Sequence, residues 1–197
     1  MDTQIKSLLE FPSDFSEKGL KDLAQEIMNK VCIFNGKYKY HPIEIEFYMY
    51  DKDKHPDILV YPRDAKEAGT IFFHMSGIDI CFQSSIETGL FGGILIRAIE
   101  RDSDGKQFGG PLICKDEILN SAAGKCVTIP CDKELNYNIS KITLRKGFKD
   151  SKGLKDIYWD KGYRFVREDV QKPIIRKGKE FDPNTGELMD KDRKYYL

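Results

Sequence analysis

Three short apolar runs between residues 43 and 100 constrain the fold more than any other feature. They are Ile43–Tyr48, Gly69–Gln83 (interrupted at Gly77) and Gly92–Glu100. Each run is rich in β-branched and aromatic residues, and most are bounded by glycine or proline. These properties favour strands over helices. The sequence therefore predicts a sheet at the centre of the molecule, with a break or bulge at Gly77.

The first and third runs differ in how their polar residues are distributed. The first alternates strictly, which predicts one apolar and one polar face; the apolar face would hold Ile43, Ile45, Phe47 and Met49, and the polar face Glu44, Glu46, Tyr48 and Tyr50. The third run is apolar on both faces except for Arg97, which predicts a central strand. A buried guanidinium needs an anion, either a carboxylate of the same sheet or a bound phosphate or ligand.

The segment before these runs predicts a helix packed on the sheet and then a hairpin. Ser16 suits the N-cap, and an apolar stripe at three- and four-residue steps follows it as far as residue 31. Val31–Phe34 is predicted to be a strand. The Asn35-Gly36 pair predicts a tight turn, after which Lys37–Tyr40 returns as the partner strand. Residues 1–15 show no clear pattern.

Beyond residue 105 the periodicity weakens. It indicates a short helix at 115–123, extended segments at 125–131 and 141–145, a late strand at 163–167 and a turn at 180–186. Together these elements predict an α+β fold. The expected architecture is a single domain with a curved, mostly antiparallel sheet, packed by the N-terminal helix and flanking helices.

Charge is unevenly distributed along the 197 residues, although the net charge is zero. Residues 1–140 carry 16 basic and 22 acidic side chains, residues 141–179 carry 13 and 5, and residues 180–197 carry 3 and 5. We therefore expect one domain over 1–179, with a basic flank at 141–179, and a charged tail at 180–197. A basic flank can bind a polyanion, but it can equally be a solvated lysine-rich surface.

The remaining composition predicts a cytoplasmic protein without a membrane span. No apolar run approaches the roughly 20 residues of a spanning helix, and the first residues lack the pattern of a signal peptide. The five cysteines form no CxxC pair. Cys126 and Cys131 can supply half of a metal site, but the favoured interpretation is reduced thiols and no metal.

Several residues can carry chemistry, and each also has a structural interpretation. Glu46 beside aromatic residues suits a general base, or simply the solvent face of an edge strand. His55 follows on a polar loop, where surface exposure is the plain alternative. His74 lies among apolar residues and fits either a hydrogen-bonded core histidine or a site residue. We find no Gly-rich phosphate loop, no HExxH and no Ser/His/Asp motif.

The order of these pieces resembles the alkyladenine (3-methyladenine) DNA glycosylase family. The likeness covers residues 20–168 with gaps and depends on order and spacing, because no single motif is specific. The segments that carry it are Leu23-Ala24 to Val31, Ile43-Glu44-Ile45-Glu46-Phe47-Tyr48, His55, Pro62-Arg63, Gly69-Thr70, Gly77 to Gln83, Ile94-Leu95-Ile96-Arg97-Ala98-Ile99-Glu100 and Tyr163-Arg164-Phe165-Val166.

The resemblance implies a monofunctional glycosylase that flips a damaged purine out of double-stranded DNA and hydrolyses its bond to the sugar, without cofactor or metal. Glu46 would activate the water. The residues expected to bind the flipped base or lie beside it are Tyr48, His55, Phe73, Gln83 and Arg97, and those expected to contact the DNA backbone are Arg145, Lys146, Arg164 and Arg167. We expect a monomer.

This chain also departs from the family pattern. Phe73 stands where the family stacks a tyrosine on the base, Ser76 where a tyrosine is wedged into the duplex, and Gln83 where an asparagine gates the pocket. Two alternatives therefore stay open. One is a non-catalytic protein of the same fold that binds nucleic acid or another ligand. The other is an unrelated α/β protein in which Arg97 is paired for structural reasons only.

Overall fold

The computed structural model describes residues 3–133, 135–142, 162–170, 174–176 and 179–181. Within them the helices are α1 (Thr3–Leu8), α2 (Glu17–Lys30) and α3 (Pro111–Asn120). The strands are β1 (Val31–Phe34), β2 (Lys39–Asp51), β3 (Ile71–His74), β4 (Gly77–Cys81), β5 (Leu90–Arg101), β6 (Gln107–Gly109), β7 (Val127–Pro130), β8 (Ile139–Ile142), β9 (Arg164–Arg167), β10 (Ile174–Arg176) and β11 (Lys179–Phe181). The predicted α+β class is confirmed.

Nine of the described strands form one antiparallel sheet. Its main path runs β3-β4-β5-β2-β1-β7. Strand β6 pairs with β5, β9 pairs with β2, and β8 pairs with β9. β10 and β11 form a separate two-stranded ribbon. The two longest strands, β2 and β5, are neighbours at the centre, as the apolar third run predicted.

A β-bulge interrupts the pairing of these two central strands. Glu44 lies opposite Ala98, but Ile45 lies opposite Ile96, so Arg97 faces no single residue of β2. A bulge of this kind re-aims the side chains around it. The irregularity continues to the other side of Glu44, where the register between Pro42 and Glu44 also shifts.

The bulge changes which residues share a face. The main core contains Ile45, Phe47 and Ile96. Ile43 instead packs in a second, smaller cluster on the other side, with Ala98, Val166 and Val170. The prediction that Ile43 shares a face with Ile45 is therefore wrong, because strict alternation fails where the register shifts.

The predicted N-terminal helix is confirmed as α2. The hydroxyl of Ser16 accepts a hydrogen bond from the backbone N–H of Gly19 at 3.0 Å, which satisfies one of the free donors of the first turn. The apolar stripe of α2 packs on the main core; its buried members there are Leu20, Ala24, Ile27 and Met28. This helix covers the face of the sheet that carries Ile45 and Phe47.

Other local predictions are refined. Gly77 ends a turn between β3 and β4, which pair with each other as a hairpin. The third helix starts at Pro111, a residue suited to a helix start, and so begins earlier than 115. The unpatterned lead-in contains α1, and the predicted turn at 180–186 begins within β11. Strand β8 ends at Ile142, and residues 143–145 lie outside the described part.

Gly36 lies in the hairpin turn between β1 and β2. The turn extends to Tyr38, so the returning strand begins at Lys39 and not at the predicted Lys37. The φ of Gly36 is +86°, and an added Cβ would overlap the backbone of Gly124. Gly36→Ala should therefore lower the free energy of unfolding by about 2–4 kcal/mol, from left-handed strain plus the clash. Chemical denaturation measures the loss.

The control for this turn is Gly105→Ala. Its φ is +66°, yet an added Cβ meets no atom within 4 Å in the described part of the chain. This variant should show only the backbone strain, about 1 kcal/mol. Equal losses in the two variants would contradict the close approach of Gly36 to Gly124.

Candidate active site

Four charged side chains meet on the sheet face opposite α2. The Nε of Arg97 donates to Oε1 of Glu44 at 3.0 Å, and its Nη1 donates to Oε2 of Glu46. The Nε of Arg164 donates to Oε1 of Glu44. We call Glu44, Glu46, Arg97 and Arg164 the charge cluster. It supplies the carboxylate partner that Arg97 was predicted to need.

Strand pairing positions every member of this cluster. Glu46 on β2 lies opposite Leu95 of β5 on one side and opposite Arg164 of β9 on the other. Residues directly opposite in an antiparallel pair project from the same face. The bulge on β5 then brings Arg97 between the two glutamates. The cluster thus combines three strands that are distant in sequence.

The cluster is buried and electrically balanced. Glu44 and Glu46 are 0% exposed, and Arg97 and Arg164 are each 4% exposed. Burial alone would lower the pKa of Arg97, but Glu46, Glu44 and then Tyr48 act in the opposite direction and raise it above its usual value. Burial lowers the pKa of Arg164, against the opposing effect of Glu44. Two carboxylates and two guanidiniums together carry no net charge, which makes their burial tolerable.

Two carboxylate oxygens in the cluster keep free lone pairs. Among the described residues, Oε2 of Glu44 and Oε1 of Glu46 have no hydrogen-bond partner. A buried polar atom without a partner is costly, so such atoms are uncommon unless water or a ligand binds there. In Glu46 the other oxygen is held by Arg97. The carboxylate is therefore fixed at one oxygen and free at the other.

A second polar group lies on the same face of the sheet as the charge cluster, on the neighbouring strand β4. Asp79 lies opposite Leu95. It accepts from Nη1 of Arg63 and contacts Nε2 of His74 at 3.1 Å. The guanidinium of Arg63 also lies 4.7 Å from the ring centre of Phe72. His74 is thus hydrogen-bonded in a largely buried position, the structural alternative left open by the sequence.

His55 lies on the opposite side of β2 from Glu46. It is 3% exposed, so it is not a surface residue. Its Nδ1 lies 2.9 Å from the carbonyl oxygen of Met49, and its Nε2 lies 2.9 Å from the hydroxyl of Tyr163. Tyr163 belongs to the main core, on the α2 side. The structure therefore does not bring His55 into the charge cluster.

The other predicted base-binding residues are dispersed. Tyr48 is half-buried and, two residues beyond Glu46, shares the face of the charge cluster. Phe73, 38% exposed, lies opposite the core residue Ile78 and so projects from the core face at the edge strand β3. Gln83 is exposed beyond the end of β4.

The predicted DNA-backbone residues fall into two groups. Arg145 and Lys146 lie outside the described residues. Arg164 and Arg167 are buried, and Arg167 is paired with Asp169 at 2.6 Å. Contact with a phosphate requires an exposed guanidinium, so we base no DNA contact on Arg164 or Arg167.

A separate group of possible metal ligands was missed by the sequence analysis. Cys32, His41 and Cys131 place one ligand atom each within 4.8 Å of one another. Cys131 has a pKa lowered to about 6, first by a hydrogen bond from Cys32 and, against burial, by one from His41. All five cysteines are free thiols. Cys126, the partner considered for Cys131, is not a member of this group.

Comparison with known proteins adds a distant relative to this description. The chain is 27% identical over 129 residues to an uncharacterized protein of Acanthamoeba polyphaga mimivirus; the match covers 54% of this chain and 59% of the relative. No family model and no solved structure matches. In the described part of the chain, no helix combines the length and apolar character needed to cross a membrane.

Removing Arg97 tests the energetic role of the charge cluster. Arg97→Ala leaves Glu46 buried without its guanidinium and should lower the free energy of unfolding by about 3–5 kcal/mol. Denaturant titration measures the loss.

The companion variant is Arg97→Met combined with Glu46→Gln. It removes both charges of one pair and should recover part of that stability, because no unpaired charge remains between them. If Arg97→Ala lost less than about 1 kcal/mol, the cluster would not be a buried ion-pair network.

Proposed function

We propose that this protein is a DNA glycosylase that removes damaged purines, with Glu46 as the general base. Two things support the proposal: the ordered resemblance of residues 20–168 to the alkyladenine glycosylase family, and the convergence of Glu46, Arg97 and Tyr48 on one sheet face. The observation that carries it is the free Oε1 of Glu46. We infer a cytoplasmic monomer that uses no cofactor in this reaction.

The free oxygen suits a base-catalysed hydrolysis. Oε1 of Glu46 accepts a proton from a water molecule as the water oxygen forms a bond to the sugar carbon that carries the base. The bond between that carbon and the purine nitrogen breaks, and its electron pair leaves with the base. The products are a free purine and an abasic sugar. An alkylated purine leaves readily because the ring nitrogen already carries positive charge.

In this proposal Arg97 fixes the orientation of the general base, Glu46. Its Nη1 holds Oε2 of Glu46, and its Nε holds Glu44. This leaves one rotameric state for the catalytic carboxylate, and orientation of this kind lowers the entropic cost of the reaction. The guanidinium also places a positive charge directly beside the Glu46 carboxylate.

The burial of Glu46 means that a substrate cannot reach it without a change in the surrounding protein. Glu46 is 0% exposed, so a flipped purine reaches it only if side chains around the charge cluster move. Closing of the site around the purine would exclude bulk water and strengthen the electrostatic contacts in the site. Substrate entry is then a conformational step separate from the chemistry.

Full burial also favours a second candidate function. A protein of the same fold without catalysis would keep the charge cluster as a structural element and bind nucleic acid through another surface. The observation in its favour is that all four charges are paired and inaccessible. Salt-dependent binding of duplex DNA without base release would identify it.

Base release from defined duplexes tests the glycosylase. The substrates carry one N-alkylated purine or one hypoxanthine, and the released base is measured by chromatography under single-turnover conditions. Glu46→Gln keeps the shape of the side chain but removes the proton acceptor. It should slow release by about 10²–10⁴-fold.

Asp79→Asn is the matched control. It also neutralises a buried carboxylate that is paired with an arginine, on the same face of the sheet. It should lose stability yet release base at nearly the wild-type rate once its folded fraction is accounted for. Absence of release from every lesion by the wild-type protein, or equal rates for Glu46→Gln and wild type, would refute the glycosylase.

A further inference from the structure

Cys32, His41 and Cys131 form a compact group near the N-terminal end of β2. The Sγ of Cys32 lies 3.3 Å from Nδ1 of His41, and the Sγ of Cys131 lies 3.6 Å from the same nitrogen. Both thiols therefore approach one ring nitrogen. Cys32 is fully buried, His41 is 8% exposed, and Cys131 is half-buried.

Strand register brings the three side chains to one face. Ile33 lies opposite Tyr40, so the next pair in the β1–β2 hairpin is Cys32 with His41. Cys32 also lies opposite Ile129 on β7, and Cys131 follows two residues later on the same face. The backbone N–H of Cys131 donates to the carbonyl of Lys30 at 2.9 Å, which extends this pairing beyond β7.

The separations match the edges of a tetrahedral metal site. With Zn–S near 2.3 Å and Zn–N near 2.0–2.1 Å, a tetrahedron requires about 3.6 Å between sulfur and nitrogen. The two observed values, 3.3 and 3.6 Å, fall at this edge length. Two cysteines and one histidine are also a ligand set that zinc prefers over harder cations.

The second ring nitrogen of His41 contacts a carboxylate, as is common for metal-binding histidines. Nε2 of His41 lies 3.1 Å from Oδ1 of Asp102. His41 lies opposite Glu100, so Asp102, two residues further, projects from the same face. Metal-binding histidines commonly donate their second ring N–H to a carboxylate, which fixes the tautomer and leaves the first nitrogen free to bind.

We propose that Cys32, His41 and Cys131 bind one zinc ion, with Asp102 as the positioning residue for His41. Two thiolates neutralise the dication, and the neutral imidazole binds through Nδ1. The fourth position is taken by water. The ion ties β1, β2 and β7 together at one edge of the sheet, and it takes no part in the proposed base excision.

Metal analysis of the full-length protein, purified without chelator, tests the site. We expect one zinc per chain by mass spectrometry of the metal. Replacement by Co²⁺ should give the intense visible bands of tetrahedral cobalt and a thiolate charge-transfer band. Asp102→Asn should weaken zinc affinity about 10–100-fold while leaving the cobalt spectrum tetrahedral.

Matched cysteine variants separate binding from packing. Cys131→Ser and Cys32→Ser should lose the metal and the thiolate band. Cys126→Ser, half-buried like Cys131, and Cys114→Ser, buried like Cys32, should keep both. Chelation should lower the midpoint of thermal unfolding in the wild type and leave that of Cys131→Ser unchanged.

Three outcomes would overturn the proposal. The first is less than one zinc for every ten chains together with no tetrahedral cobalt spectrum. The second is a Cys32–Cys131 disulfide in the purified protein, shown by peptide mapping without reduction. The third is full metal content in Cys131→Ser, which would place any bound ion elsewhere. Each can be obtained whether or not the protein releases bases from DNA.

Discussion

The buried pairing of Glu44 and Glu46 with Arg97 and Arg164 determines how the central strands meet. A shift of one residue in the β2–β5 register would turn both glutamates toward the apolar core and leave Arg97 without an anion. An unpaired buried charge costs several kcal/mol, whereas an intact buried ion pair is often no more stabilising than a well-packed apolar pair. The ion pairs therefore contribute more to the choice of register and bulge than to net stability.

Local sequence patterns were sufficient to predict the strands around this cluster. The apolar third run indicated a buried central strand, and Arg97 within it required an anionic partner, which the structure supplies. Glu44 and Arg164 were not predicted as members. The bulge depends on how two strands meet, and β9 reaches β2 from more than a hundred residues away. Neither the bulge nor the pairing of β9 with β2 can be predicted from the periodicity of one short segment.

Contacts between distant segments also explain why the surroundings of His55 and the metal-ligand group were not predicted. His55 was placed on a polar loop, but Tyr163, distant in sequence, buries it. The observed pairing of Phe34 with Lys39 brings Cys32 beside His41, whereas a two-residue turn at Asn35-Gly36 would have placed Cys32 opposite Lys39, so only the hairpin itself was predictable. The arrival of Cys131 was not, since it depends on β7 adding to the far side of β1. Spacing alone instead suggested Cys126 as its partner.

The two proposed sites have different roles along β2: the charge cluster would carry the chemistry, and the metal site would hold the strand. The charge cluster lies beside a bulge, where the ladder between β2 and β5 is interrupted while β9 pairs with the other side of β2. If a purine is to reach Glu46, this face must open while the strand itself stays in place. A metal bridge near the N-terminal end of β2 would anchor it to β1 and β7 and so hold the strand in place. If Glu46 is the base of the proposed hydrolysis, a strand held in this way would keep its carboxylate within the narrow tolerance that such a reaction demands.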